Sequence, residues 1–145
     1  MIETVRLRGR AVVRGRAEGY ALVADATLSF WGEVDPVSGR VIGKGHPLEG
    51  QSLAGRVLVI RSTRGSSATP MVLHLASLEG VAPAAFINVE VDSLAALAAV
   101  VNRIPMVTDL ECNPFEVIRT GDYLIVDADA GVVEIHRVAQ ASGGG

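Results

Sequence analysis

Between Thr4 and Val13 (TVRLRGRAVV) arginines recur at every second position. A period of two places alternate side chains on opposite faces, so the segment predicts a strand with one wet face. The arginine row reads first as solvated surface and second as an anion-binding comb. Gly19–Ala24 (GYALVA) and Thr27–Trp31 (TLSFW) predict two further short strands. Asp35-Pro-Val-Ser-Gly39 then carries proline at the second turn position and a glycine beyond it, which predicts a tight turn. Arg40–Gly43 would be the return strand.

Past the polar stretch Gly45–Gly50 the texture changes. Arg56–Arg61 (RVLVIR) is continuously apolar between its arginines, as expected of a strand covered on both faces. A serine-rich stretch follows, then a helix through about Leu78, with Thr69 as N-cap, Pro70 in the first turn and Gly80 as the stop. Ala84–Val89 predicts a second buried strand. Asp92 or Ser93 caps a second helix running to about Asn102, and Ile104–Val107 is a third short strand. A β-α-β-α-β order of this kind implies a small parallel sheet. Gly121–Asp127 and Gly131–His136, separated by Ala128–Ala130, predict a closing hairpin. The fold class is therefore α/β: a β-rich sandwich or barrel around a short parallel unit. Residues 1–138 form one domain, and 139–145 (AQASGGG with its last glycines) read as a flexible tail.

Composition narrows the function classes. With 49% hydrophobic and 20% charged residues, the 145-residue chain can bury a real core, built from aliphatics because only 4% are aromatic. The net charge of −3 gives no reason to expect nucleic acid or an anionic membrane as a partner. Arginines interrupt the N-terminus, so it lacks a signal-peptide layout, and the apolar run Ser93–Val101 is far short of a membrane span of roughly 20 residues. The lone Cys112 cannot form an internal disulfide, which makes a cytoplasmic location the default. Nor can one thiol hold a zinc or iron–sulfur site by itself; no metal ligands are expected in this chain.

Chemistry concentrates in Arg64-Gly65-Ser66-Ser67, between a buried strand and a helix start. Ligands of open α/β sheets gather at the carboxyl ends of strands. A helix N-terminus offers unpaired N–H groups, Gly65 allows close backbone approach, and Arg64 is fitted to clamp a carboxylate. The same spacing also describes a plain serine-rich cap. No Gly-x-Ser-x-Gly elbow is present, and His46, His74 and His136 are too scattered to serve a serine hydrolase or a metal; His74 is expected to pack within its helix. The segment Phe30–Gly39 joins the only tryptophan to Glu33 and Asp35. Trp31 and Asp35 are candidates for a pocket or a subunit interface, against the alternative of a hairpin with a buried ring.

These segments resemble a known family. Phe30-Trp-Gly-Glu-Val-Asp-Pro-Val-Ser-Gly39, Gly45-His-Pro-Leu-Glu-Gly-Gln-Ser-Leu-Ala-Gly55, Arg64-Gly-Ser-Ser67 and Ala82-Pro-Ala-Ala-Phe-Ile-Asn88 are similar, in order, to the small subunit of aconitase X enzymes. The resemblance covers roughly Arg8 to Val133. It implies a β/β/α swivelling domain that closes over a large subunit bearing an iron–sulfur cluster, with no cofactor bound by this chain alone. It implies a hydro-lyase acting on a small hydroxy acid, with Ser66 as catalytic base and Arg64, Gly65 and Ser67 as substrate-binding residues. Family members dehydrate mevalonate 5-phosphate or cis-3-hydroxy-L-proline. The mevalonate branch usually continues past the serine motif with Gly-Ser-Tyr, whereas this chain reads Ala68-Thr-Pro-Met-Val72, which favours hydroxyproline. A different class of reading makes the chain a docking or regulatory module without a catalytic residue. A third, a phosphohistidine carrier, needs an active histidine where the matching loop holds serines.

Overall fold

The structure, a computed structural model, describes residues 2–63 and 67–138. Its strands are β1 (Ile2–Arg8), β2 (Arg10–Val13), β3 (Arg16–Leu28), β4 (Val57–Thr63), β5 (Ala85–Asn88), β6 (Met106–Thr108), β7 (Tyr123–Asp127) and β8 (Val132–Val138). Its helices are α1 (Phe30–Glu33), α2 (Thr69–Leu78), α3 (Ser93–Val101) and α4 (Pro114–Val117). The strands form one mixed sheet in the order β1-β8-β7-β3-β4-β5-β6-β2. Strands β3, β4, β5 and β6 run parallel; β2 is antiparallel to β6, and β7, β8 and β1 extend the other side as antiparallel neighbours. The expected parallel unit inside a β-rich barrel is therefore present.

The N-terminal arginine row is where the structure departs most from the expected strands. It is two strands, not one. Gly9 alone separates β1, which pairs with β8, from β2, which pairs with β6 at the opposite end of the strand order. Successive residues thus join both edges, and the sheet must curl until those edges meet. Gly9 N–H donates to the Gly131 carbonyl at 2.8 Å, extending the β1–β8 pairing by one residue. A Cβ on Gly9 would lie 2.8 Å from Leu110 Cδ2 and Val107 Cγ1 and 2.9 Å from the Thr108 carbonyl, so the closure needs a residue without one.

Curling creates two cores. Leu7, Val57, Val59, Ile87, Val107, Leu124, Val126, Val133 and Ile135 fill the inside. Leu22, Leu58, Ile60, Phe86 and Met106 face the other way, covered by Val72 and Leu73 of α2, Ala95, Ala98 and Ala99 of α3, and Phe30. The four residues Val57–Ile60 are completely buried, as the apolar run required. Phe30 meets Phe86 edge to face, with ring centroids 5.9 Å apart and planes at 78°.

Other local differences have physical reasons. Gly19–Ala24 and Thr27–Leu28 belong to one strand, β3, whose register shifts between Ala24 and Thr27; this bulge reads in sequence as a break. Phe30 and Trp31 leave the strand and enter the short turn α1. Arg40–Gly43 makes only isolated bridges, Val34 with Val41 and Arg40 with Ser52. The turn between is as expected: Gly39 N–H donates to the Asp35 carbonyl at 2.8 Å with Gly39 at φ +73°. Asp92 caps α3 by accepting from Ala95 N–H. At α2 the N-cap is Ala68, one residue before the expected Thr69, and an alanine side chain makes no cap hydrogen bond. Helix α4 had no sequence-based expectation. The 139–145 tail lies outside the described residues.

Candidate functional site

Parallel strands β3, β4, β5 and β6 end at one edge, and the candidate chemistry collects there. Leu28 is the register partner of Thr63, so the segment leaving β3 and the connection leaving β4 start side by side. The first carries Trp31 and the second carries the serine motif. Arg64, Gly65 and Ser66 lie outside the described residues. Ser67 is exposed, and α2 begins directly after Ala68 with Thr69 and Pro70. Helices α1 and α2 touch, so the tryptophan turn packs beside the helix that follows the serine motif.

A cleft of about 360 Å³ opens at the same edge, lined among others by Arg61, Asn88, Asp109, Cys112, Asn113 and Phe115. Arg61 donates from Nε to Asp25 Oδ1 at 2.7 Å, and its guanidinium carbon stands 5.8 Å from the centre of the Phe115 ring. Asp25 beside it raises the arginine's pKa further, so the guanidinium is a permanent charge on the cleft wall. Asp109 pairs with Arg10 at 2.8 Å and holds φ +51°, a left-handed conformation that aspartate tolerates better than most residues. Burial pushes the Cys112 thiol up, with the charges of Glu111 and Glu116 adding to the effect, so it stays protonated and a poor nucleophile or ligand. Among the described residues no group of three His, Cys, Asp or Glu side chains converges to hold a metal ion.

Polar atoms left without partners mark the edge more sharply. Asn88 is 1% exposed, and neither its carboxamide oxygen nor its nitrogen has a hydrogen-bond partner among the described residues. The hydroxyls of Thr63 and Thr69, buried to 2% and 1% exposure, are likewise unpartnered. Each such group costs about 1–3 kcal/mol relative to a satisfied one. Of the five buried side-chain atoms orphaned among the described residues, four belong to these three residues. Nothing in the sequence reading singled out Asn88, although an asparagine closing the buried run Ala85–Asn88 was a visible anomaly.

The remaining candidates separate. Trp31 is 64% exposed, which rules out the buried-ring reading of its segment. Gly32 beside it sits at φ +92°, and Ser29 Oγ donates to the Trp31 carbonyl at 2.8 Å. Asp35 is engaged within its own turn: Oδ1 accepts from Val37 N–H at 3.0 Å and Oδ2 from Ser38 Oγ at 2.8 Å. Those bonds hold its carboxyl below the usual pKa. The histidines stand apart. His46 is structural, donating from Nε2 to the Thr27 carbonyl while Nδ1 accepts from Leu48 N–H. His74 is exposed rather than packed, because its position on α2 faces away from the sheet; its Nδ1 lies 3.3 Å from Asn102 Oδ1.

Comparison with known proteins agrees with this architecture. Residues 6–135 match the model of the aconitase X swivel domain. The phosphomevalonate dehydratase small subunit of Methanocella arvoryzae is 42% identical over 131 residues, covering 90% of this chain and 99% of that one. Its counterpart in Archaeoglobus fulgidus is 40% identical, covering 87% and 95%. The crystal structure of Thermococcus kodakaraensis aconitase X in its holo form superposes with a TM-score of 0.84 at 37% identity, over 90% of this chain and 98% of that one. Family model, full-length relatives and solved structure coincide: the chain belongs to the aconitase X swivel-domain family and is the small subunit of an aconitase X-type dehydratase.

Proposed function

We propose that this small subunit serves a dehydratase of mevalonate 5-phosphate. The observation that carries this reading is end-to-end similarity to relatives named phosphomevalonate dehydratase small subunit. It replaces cis-3-hydroxy-L-proline as the favoured substrate. The departure that had favoured hydroxyproline, Ala68–Val72, has a local explanation: it spans the N-cap and first turn of α2, where Pro70 is suited by its fixed φ.

Dehydration of a hydroxy acid removes a proton from the carbon beside the carboxylate and a hydroxyl from its neighbour, leaving a carbon–carbon double bond. In the proposal Ser66 takes that proton, and Arg64, Gly65 and Ser67 hold substrate oxygens. A serine alkoxide is too costly in water. Enclosure between subunits, with the Arg61 charge and helix N–H groups at the same edge, lowers that cost. An iron–sulfur cluster, if held by the large subunit, would supply Lewis-acid assistance to the departing hydroxyl.

The test is reconstitution with the large subunit, offering mevalonate 5-phosphate and cis-3-hydroxy-L-proline separately. This chain alone is expected to be inactive and the pair to favour mevalonate 5-phosphate. Ser66→Ala should lower kcat about a hundredfold or more while the pair still assembles. Preference for hydroxyproline would overturn the substrate. Unchanged kinetics in Ser66→Ala would make the chain a docking module without a base.

A further inference from the structure

We propose that the outer face of the α2–α3 helix pair is the seat of the large subunit, a docking surface that takes an apolar, uncharged patch of that partner. Composition sets these helices apart from ordinary surface helices. Neither α2 (TPMVLHLASL) nor α3 (SLAALAAVV) contains an aspartate, glutamate, lysine or arginine. A helix at a protein surface normally turns a charged stripe to water, whereas one that is apolar all round belongs in an interior. The inward stripes, with Val72, Leu73, Ala95 and Ala98, are buried against the sheet. The outward ones are bare. Met71, Leu75 and Leu78 recur at i, i+4 and i+7 along α2, and Leu97, Val100 and Val101 at i, i+3 and i+4 along α3. All six are between 44% and 71% exposed. The two helices touch, and His74 Nδ1 lies 3.3 Å from Asn102 Oδ1 where they meet, so both stripes belong to one surface. That surface presents on the order of 600 Å² of apolar side chain, the scale at which a patch marks an interaction site on a soluble chain.

Position selects the occupant. Met71 stands in the first turn of α2, behind the carboxyl end of β4, so the apolar stripe starts at the edge that carries the candidate site. The turn bearing exposed Trp31 touches α2 as well, which makes the ring and the helix face neighbours on one side of the molecule. A large subunit that closes the carboxyl edge therefore meets this face next, and a second small subunit seated on it would compete for the same approach. Charges return only outside the patch, at Glu79, Asp92 and Arg103, which gives it the apolar centre and polar rim of a subunit contact. The partner's matching surface must itself be uncharged, because a charge buried against these side chains would find no counter-ion on α2 or α3. The proposal rests on the reading of the chain as a subunit closed at its carboxyl edge by the large one, and not on the substrate or on Ser66 as base.

The experiment titrates the small subunit into the large subunit without substrate, comparing wild type with Leu78→Lys, Leu97→Lys, Leu78→Met and Tyr20→Lys. Tyr20, exposed against Tyr123 on the β7 side of β3, controls for an added charge elsewhere on the surface. Leu78→Lys and Leu97→Lys should each weaken affinity by about thirtyfold or more. Leu78→Met, which keeps the face apolar, and Tyr20→Lys should bind within about threefold of wild type. Because the replaced side chains face solvent in the free chain, each variant alone should melt within about 3 °C of wild type. A lysine variant with wild-type affinity overturns the proposal, and so does equal weakening by Tyr20→Lys. A strongly lowered midpoint in both lysine variants also overturns it, since the stripes would then serve the fold of the free chain. Sedimentation of the small subunit alone tests the other occupant: a wild-type dimer that Leu78→Lys splits, with affinity for the large subunit unchanged, gives the face to a second copy. Titration reads binding alone, so a pair that binds as expected yet turns over neither hydroxy acid counts against the proposed function and leaves this surface in place.

Discussion

Asp35 shows how one residue can be conspicuous for reasons of its own turn. Its carboxylate accepts from the Ser38 hydroxyl and the Val37 amide, and these bonds, the Ser38 one foremost, lower its pKa. Because the folded value lies below the unfolded one, the bonds stabilise the protein above the ordinary carboxylate range. That contribution is lost as pH falls through the folded value. Asp35→Asn should therefore have a lower urea midpoint than wild type at about pH 7, and the gap should close near pH 2. Equal midpoints at neutral pH would show that the turn does not depend on the charge. This residue was legible in sequence because everything it bonds is within five positions, and Pro36 and Gly39 announce the turn. Asn88 was not, because its significance comes from what lies on the next strand and from the absence of a partner there.

Elements were legible where local signals set them and obscure where distant strands did. Strand β4, helix α3 with its Asp92 cap, and the β7–β8 hairpin follow from apolar runs, caps and turns. The division of the arginine row into β1 and β2 does not, since period two passes through Gly9 unbroken and only the far partners, β8 and β6, reveal the seam. Likewise the bulge in β3 disguised one strand as two. The seam makes Gly9 the sharpest test of the closed sheet. Gly9→Ala would press a methyl against Leu110, Val107 and the Thr108 carbonyl, and is expected to cost about 1–3 kcal/mol in urea unfolding. At Gly45, where an added Cβ meets nothing within 4 Å, the same change is strained by φ +79° but not crowded. A Gly9→Ala protein as stable as wild type would mean that the edges do not close as tightly as the geometry requires.

The whole molecule buries both faces of its sheet and still leaves a large aromatic ring in solvent. Trp31 is held outward by a backbone that ordinary residues resist: Gly32 at φ +92° follows it, and Ser29 Oγ ties its carbonyl. Its neighbour Phe30 meanwhile anchors the turn in the core against Phe86. The ring therefore projects from a fixed base at the carboxyl edge, on a turn that touches α2, where the proposed chemistry requires a second subunit to close. A rigid exposed tryptophan contributes little to the fold of the free chain and much to an interface that covers it. Trp31→Ala should accordingly change the stability of the isolated subunit by less than about 0.5 kcal/mol. Its affinity for the large subunit should weaken by about 2 kcal/mol, roughly thirtyfold, when titrated calorimetrically. Ser66→Ala, which removes only a hydroxyl, should bind as wild type does. A Trp31→Ala subunit that binds equally well would move the interface away from this turn, and with it the route by which the large subunit encloses the serine motif.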